Sequence, residues 1–254
     1  MAGIGFELRH MLRKNTLLGL MQAYTYASVI GSGPWVLSIV GILLIGIFSA
    51  SVVVPATLVT QFQTSVTYLV ACSLIYTGLA QLAFTRFVSD RMFERRKHAI
   101  LPNLHGLMAL VLLGAGGLGT LALFFVLPGE GVLYRLLMLA GFILLSGVWI
   151  LTVLLSGMKR YKAIVALFAL SYGLIVVSAL LMRRWGLEGL LGGFVLGHYV
   201  LLAGMWLLIV REFHPARRMV AFDFLQAGKL YPALVAVGFL WNLGIWADKF
   251  MFWF

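Results

Sequence analysis

Three polar side chains stand out in the otherwise apolar stretch LWNLGIWADKF, residues 240–250: Asn242, Asp248 and Lys249. If a helix crosses a membrane from about ten residues earlier, Asn242 lies ~15 Å deep, near the midplane. Asp248 then lies ~24 Å deep, in the outer third. Polar groups inside a membrane usually line a pathway or bind one another. All three are therefore candidates to line a transport cavity, and Asn242 is the better candidate at the midplane. Asp248 and Lys249 point in different directions, so one can face a cavity while the other extends outward. The alternative for this pair is an interfacial anchor beside the neighbouring tryptophans.

The first apolar run contains a second unusual stretch, YASVIGSGPWVL. Gly31, Gly33 and Pro34 fall close together there, and a proline removes one backbone donor. We predict a helix break or hinge at these three residues, because broken helices in transporters often mark the pathway. Tyr26 and Ser32 beside the break are further cavity candidates. A plain proline kink that serves helix packing is the alternative.

Two sequence features are typical of catalysis or of nucleotide binding, but their surroundings do not support either function. His198 is well inside an apolar run and resembles the base of some membrane acyltransferases, yet no nucleophile or carboxylate lies near it in sequence. Residues 114–119, GAGGLG, match G-x-G-x-x-G but lie inside an apolar run rather than between a strand and a helix. We predict packing roles for both. With no paired carboxylates, metal-ligand cluster or phosphate-binding loop, we expect no enzyme, cofactor or metal.

A glycine repeat predicts close helix contact. Gly189, Gly193 and Gly197 recur every fourth residue in one apolar run, so they share one face of a helix. Small residues at this spacing let the backbones of two membrane helices approach closely. We assign the three glycines to helix packing.

The amino-acid composition indicates that lipid surrounds most of the chain. Hydrophobic residues make up 62% of the chain and charged residues 11%, against about 45–50% and about 25% in soluble domains. The net charge of +11 would suggest nucleic acid in a soluble protein. Here the basic residues lie between apolar runs, so we expect no nucleic-acid partner and attribute the charge to membrane topology.

The apolar runs predict an all-α polytopic membrane protein. About 20 apolar residues cross the ~30 Å hydrocarbon core as a helix. Six complete runs have this length, and a seventh begins near residue 229 and reaches residue 254. The six predicted spans are 24–48, 65–85, 104–127, 132–156, 163–182 and 190–210.

The basic residues predict the orientation of these spans. Connections on alternate sides carry fourteen and three Lys or Arg residues, so the positive-inside rule places the amino terminus in the cytosol. Residues 1–16 carry apolar side chains at helical spacing and predict a short amphipathic helix on the cytosolic face; a disordered basic tail is the alternative. The fourteen are Arg9, Arg13, Lys14, Arg86, Arg91, Arg95, Arg96, Lys97, Lys159, Arg160, Lys162, Arg211, Arg217 and Arg218.

Several phrases carry a resemblance to a known family: GIGFELR, QAYTYASVI and SGPWVLSIVGILLIG near the amino end, and WADKFMFWF at the carboxyl end. The chain resembles the Pel exopolysaccharide transporters (PelG-like), in the multidrug/oligosaccharidyl-lipid/polysaccharide flippase superfamily. The resemblance implies twelve helices in two six-helix lobes around a cavity that works by alternating access. Residues 17–223 then form the first lobe and 224–254 the truncated start of the second. We expect the chain to be an amino-terminal fragment of a protein close to twice as long.

The resemblance also implies a function and partners. It implies export of a polymer rich in N-acetylgalactosamine and galactosamine across the bacterial inner membrane, for biofilm matrix. It implies a cytosolic glycosyltransferase and a cyclic-di-GMP-sensing membrane subunit as partners. An alternative is a non-transporting scaffold that recruits the glycosyltransferase through the basic connection 86–97. A membrane-embedded transferase based on His198 is a third hypothesis.

Overall fold

The structure is a computed structural model that describes residues 17–55, 57–126, 129–157, 161–213, 218–226 and 231–252. Within its helices, the side chains of residues 17, 19, 22–35, 124, 126, 157, 161, 248 and 252 lie outside the description. The amphipathic segment predicted for residues 1–16 also lies outside the described residues.

Seven long helices and no strand occur in the part of the chain that the structure describes. They are α1 (Leu17–Ser49), α2 (Thr57–Phe93), α3 (Ile100–Val126), α4 (Val132–Gly157), α5 (Tyr161–Met182), α6 (Gly186–Glu212) and α7 (Pro232–Phe252). Single 3-10 turns lie at Lys97–Ala99, Arg183–Trp185 and Asp223–Leu225. The prediction of an all-α chain is confirmed.

The helices have the length and composition of membrane spans. Stretches long and apolar enough to cross a membrane are Thr57–Phe93, Lys97–Leu123, Val132–Ser156 and Lys162–Glu212, the last of which joins α5 and α6; Val36–Ser49 and Pro232–Ala247 are shorter apolar helices. The chain is therefore a multi-pass membrane protein. The predicted spans fall on the helices α1 to α6, although α2 is eight residues longer at each end than the predicted span 65–85. The division into six membrane spans and into lobes stays a prediction.

Local backbone conformation and residue type mark several helix ends and starts. Arg95 follows α2 with a φ of 59°, a left-handed conformation that terminates a helix. Gly186 has a φ of 64° and begins α6 directly after the turn Arg183–Trp185, where a residue without a Cβ reverses the chain at low cost. Pro232 occupies the first position of α7, where its missing N–H removes no helical hydrogen bond.

α1 runs without interruption through the predicted break. Gly31, Gly33 and Pro34 all lie inside the helix Leu17–Ser49, so the chain does not unwind there. One proline removes one hydrogen bond, and those on either side hold the helix. Side-chain positions at these residues lie outside the description, and a hinge there stays a prediction.

The helices pack around α4, which contacts α2, α3 and α6. α6 also packs along α5, α1 packs on α5, and α7 packs on α2. The core between α2 and α6 includes Phe62 and Phe194, which meet edge to face with ring centroids 6.5 Å apart. This arrangement leaves α1 and α7 at the outside of the bundle.

Contacts between helix ends define two sides of the bundle. On one side Asn103 at the start of α3 contacts Asp223 in the connector before α7. On the other side Arg183, after α5, donates to the carbonyl of Phe48 at the end of α1, with 2.6 Å between Nη1 and O. The basic residues of the α2–α3 connection and those around the end of α6 share the first side. The orientation derived from the basic residues, and with it the cytosolic assignment of that side, stays a prediction.

Candidate functional site

The contact between α2 and α7 is made by two glycines, backbone to backbone. A Cβ placed on Gly78 would lie 2.6 Å from the carbonyl oxygen of Gly238, and a Cβ on Gly238 would meet the carbonyl oxygen of Gly78 even more closely. Both glycines are buried. Close contact of this kind needs a residue without a Cβ on both helices. The sequence analysis missed both glycines, because neither belongs to a repeat of small residues at helical spacing.

Asn242 lies at this crossing, one turn after Gly238. Its Nδ2 donates to the carbonyl oxygen of Gly238 at 2.9 Å, and a Cβ on Gly78 would lie 2.8 Å from the same Nδ2. The side chain is half-buried. The amide therefore satisfies itself on its own helix while lying against α2, so Asn242 is a residue of the α2–α7 contact.

The other polar residues of α7 lie further along the helix. The Nζ of Lys249 lies 5.3 Å from the centroid of the Trp246 ring, a cation–π distance. Phe250 meets Tyr68 of α2 with ring centroids 6.1 Å apart. The Asp248 side chain lies outside the description, as do the cavity candidates Tyr26 and Ser32. The structure therefore does not bring Asn242 and Lys249 into one described cluster.

Polar side chains form a stripe along α2, a feature that the sequence analysis did not single out. Ser73 Oγ accepts from Trp149 Nε1 of α4 at 2.9 Å, and the hydroxyls of Ser65 and Tyr134 lie 2.8 Å apart. These bonds fix α2 against α4. The spacing of four residues is the signal that would have found the stripe: Gln61, Ser65, Ser73, Thr77, Gln81, Thr85 and Ser89.

The three repeated glycines of α6 all contact α5 or its end. A Cβ on Gly193 would enter the backbone of Ala179, and one on Gly197 would lie 3.0 Å from the carbonyl oxygen of Ser171. A Cβ on Gly189 would meet the carbonyl oxygen of Met182. The α5–α6 pair is thus packed through the glycine face of α6.

His198 is buried between two structural partners. Its Nδ1 lies 2.9 Å from the carbonyl oxygen of Phe194, so Nδ1–H donates there. That tautomer leaves Nε2 to accept from the Tyr172 hydroxyl, 3.4 Å away. Both ring nitrogens are engaged within the bundle, as expected for a packing residue.

The glycine-rich stretch 114–119 lies wholly inside α3. A Cβ on Gly114 would meet the Tyr76 hydroxyl, and one on Gly119 would lie 2.8 Å from Leu139 Cδ1. A nucleotide-binding loop requires free backbone N–H groups at a helix start, and these are inside a helix. Among the described residues no group of three His, Cys, Asp or Glu could hold a metal ion.

An apolar cavity of about 210 Å³ lies between α2, α3, α7 and the connector before α7. Tyr76, Phe84, Leu107 and Phe224 are among its lining residues. Its lining is almost entirely apolar, so hydrocarbon suits it better than a sugar.

Comparison with known protein families decides where the chain belongs. The model of the PelG family, described as "Putative exopolysaccharide Exporter (EPS-E)", matches residues 1–254. The chain belongs to the PelG family. A search of curated proteins and a search of solved structures each found no match. The PelG match confirms the resemblance of the amino- and carboxyl-terminal phrases and places the chain among exopolysaccharide exporters rather than in an enzyme family.

Proposed function

We propose that this chain forms part of the path by which a Pel-type exopolysaccharide leaves the cytosol across the bacterial inner membrane. The observation that carries the proposal is the PelG match over residues 1–254, on a chain of long apolar helices. The proposed cargo is a polymer rich in N-acetylgalactosamine and galactosamine. The proposed partners are a cytosolic glycosyltransferase and a cyclic-di-GMP-sensing membrane subunit. In the proposed orientation the amino terminus lies in the cytosol.

The proposed mechanism is flippase-like alternating access between two lobes. Residues 17–223 form the first lobe in this proposal, and α7 opens the second. The contact of α7 with the first lobe supports this division, because at Gly78 and Gly238 the backbones of the two helices meet directly. Small sliding movements of packed helices are one form that domain closure takes.

The residues proposed to face the cargo are Asn242, Asp248, Lys249, Tyr26 and Ser32. Asn242 has the strongest support, since its half-buried amide lies at the α2–α7 crossing. The proposed hinge lies in the same part of α1 as Tyr26 and Ser32. It comprises Gly31, Gly33 and Pro34.

The first experiment is deletion of this protein alone in cells that carry the synthase partners. We expect hexosamine polymer to accumulate in the cytosol while synthesis continues. Extracellular polymer at the normal level would refute the exporter role. Loss of all polymer, with the glycosyltransferase released from the membrane, would favour a scaffold.

A second experiment tests the α7 residues in the full-length protein. Asn242→Ala combined with Asp248→Ala should lower export at normal protein abundance. The matched control is Leu240→Ala with Met251→Ala, because those side chains are 61% and 78% exposed on the same helix. Normal export by the first variant would remove Asn242 and Asp248 from the proposed path.

The second candidate function is a scaffold that recruits the glycosyltransferase through residues 86–97. Exposed Arg95 and Lys97 in this connection support it, and Glu94 already pairs with Arg91 at 2.8 Å. Charge reversal at Arg95 and Lys97 should then release the glycosyltransferase from the membrane. Unchanged recruitment in that variant would exclude a role for these charges.

A further inference from the structure

The connector between α6 and α7 is docked onto the start of α3 through a paired side-chain contact. Asn103 Nδ2 donates to Asp223 Oδ2 at 3.0 Å, and the backbone N–H of Asp223 donates to Asn103 Oδ1 at 2.7 Å. Asn103 is fully buried and also donates to the carbonyl oxygen of Ala99 at 2.9 Å. We call residues 218–226 the strap, and the Asn103–Asp223 pair its latch.

Backbone contacts hold the strap along one turn of α3. The N–H of Ala221 donates to the carbonyl oxygen of Pro102 at 2.9 Å, and His105 Nδ1 lies 2.7 Å from the carbonyl oxygen of Met219. A Cβ on Gly106 would collide with the carbonyl oxygen of Ala221. The glycine at 106 therefore makes room for the strap.

One aromatic side chain anchors the strap in the bundle. Phe224 is 9% exposed and meets the rings of Phe84 and Phe87 of α2 at centroid distances of 5.7 and 6.3 Å. The neighbouring side chains are much more exposed, with Met219 at 87% and Phe222 at 45%. A segment held by few buried apolar contacts opens at a lower free energy than the core.

The strap precedes α7 in the chain, and Tyr231 gives the start of α7 a fixed point of its own. The Tyr231 hydroxyl donates to Asp90 Oδ2 of α2 at 2.6 Å, and Asp90 Oδ1 lies 3.2 Å from Arg86 Nε. α7 begins at the next residue, Pro232. Tyr231 therefore holds the start of α7 against α2, while the strap lies against α3.

We propose that the strap positions α7 for export and that the Asn103–Asp223 pair is the releasable latch that keeps it docked. This inference rests on the proposed function, because α7 carries the proposed cargo-facing residues. With the latch open, the Phe224 anchor and the Ala221 hydrogen bond are lost more often, and the start of α7 is no longer held in register with α3.

The structural half of the test is hydrogen exchange on the full-length protein. The amides of Ala221 and Asp223 donate to α3, so we expect them to exchange only when the strap opens. Asp223→Ala removes the carboxylate that accepts from Asn103 Nδ2 and keeps the bond from the backbone N–H of residue 223 to Asn103 Oδ1. We expect exchange in residues 218–226 to become about tenfold faster, because hydrogen bonds to a carboxylate are lost. Gly106→Ala should act similarly, whereas Gly117→Ala, in the same helix with open space around it, should leave exchange unchanged.

A reversed pair separates positioning from a general loss of stability. Asn103→Asp alone opposes two carboxylates and should open the strap and lower export severalfold. In Asn103→Asp with Asp223→Asn, the new carboxylate accepts from the new amide and from the backbone N–H of residue 223. Export and slow exchange should both recover in part, because a carboxylate at position 103 cannot donate to the carbonyl oxygen of Ala99 as Asn103 does. Asp223→Ala, which leaves α3 unchanged, tests the latch from the other side if a carboxylate at position 103 prevents folding.

The outcomes separate this proposal from the proposed function. Faster exchange in Asp223→Ala and Gly106→Ala with export at the wild-type level would overturn positioning by the strap. Unchanged exchange in both variants would overturn the latch. Normal export after deletion of the whole protein would instead refute the exporter role, and the exchange data would still decide whether the latch exists.

Discussion

Replacing Gly238 by alanine should separate α7 from α2. The added Cβ would be directed at the carbonyl oxygen of Gly78, which is a backbone atom and cannot move aside alone. The same collision occurs from the other helix, where a Cβ on Gly78 would lie 2.6 Å from the oxygen of Gly238. Carbon–oxygen contacts between helices are normally about 3.3–3.6 Å, so the helices must move apart by roughly 1 Å.

The cost follows from this separation. A gap of about 1 Å forfeits up to roughly half of the dispersion energy of each contact at the crossing. Overpacking of a well-packed contact costs about 1–3 kcal/mol. Alanine in a helix is also more favourable than glycine by up to about 1 kcal/mol. The change in unfolding free energy of Gly238→Ala therefore combines this gain with the packing cost.

A control variant in the same helix cancels the difference in helix propensity between alanine and glycine. Gly244 also lies inside α7, and a Cβ there would meet nothing within 4 Å. Gly238→Ala and Gly244→Ala share the same gain in helix propensity, so their difference isolates packing. We expect Gly238→Ala to be less stable than Gly244→Ala by about 1–3 kcal/mol in reversible unfolding of the full-length protein in mixed micelles.

The reasoning fails if the two variants unfold alike. Equal stabilities within about 0.5 kcal/mol would mean that α7 adjusts without loss, and that the glycine contact does not hold α7 on α2. Export should fall in Gly238→Ala and stay normal in Gly244→Ala if the position of α7 matters for transport.

Three further predictions concern the rest of the bundle. Gly193→Ala should cost about 1–3 kcal/mol relative to Gly173→Ala in unfolding experiments, because only the first adds a Cβ against a neighbouring backbone; equal stabilities would contradict the packed α5–α6 contact. Arg183→Ala should cost about 0.3–1 kcal/mol relative to Arg184→Ala in the same assay, because only Arg183 caps the end of α1; no difference would show that the cap is dispensable. His198→Ala should leave polymer composition and export unchanged, measured by sugar analysis of secreted polymer at equal protein abundance, and an altered composition would support the transferase hypothesis.

The helices themselves could be predicted from the sequence. In lipid no water satisfies the backbone, so a long apolar segment must satisfy its own hydrogen bonds as a helix. The predicted span 132–156 and the helix Val132–Gly157 agree almost residue for residue for this reason. The expected unwinding at Gly31–Pro34 is not observed, because the lost hydrogen bond is one among many in a helix of 33 residues.

Only part of the candidate site could be predicted from the sequence. Asn242 could be recognised as an amide in an apolar run, but its hydrogen bond to Gly238 and its contact with Gly78 require the two helices to be placed. The latch illustrates the same limit, since Asn103 and Asp223 are 120 residues apart and neither belongs to a recognisable motif.

The sequence by itself determined an apolar helical chain, the order of its apolar runs and basic connections and, through short phrases, its resemblance to the PelG family. The tertiary structure decided which faces meet: Gly78 with Gly238, Ser73 with Trp149 and the strap with α3. The physical reason is that lipid tails and helix faces are equally apolar, so hydrophobicity selects the membrane but no particular neighbour. Close packing and paired hydrogen bonds make that choice, and both exist only once the helices are in contact.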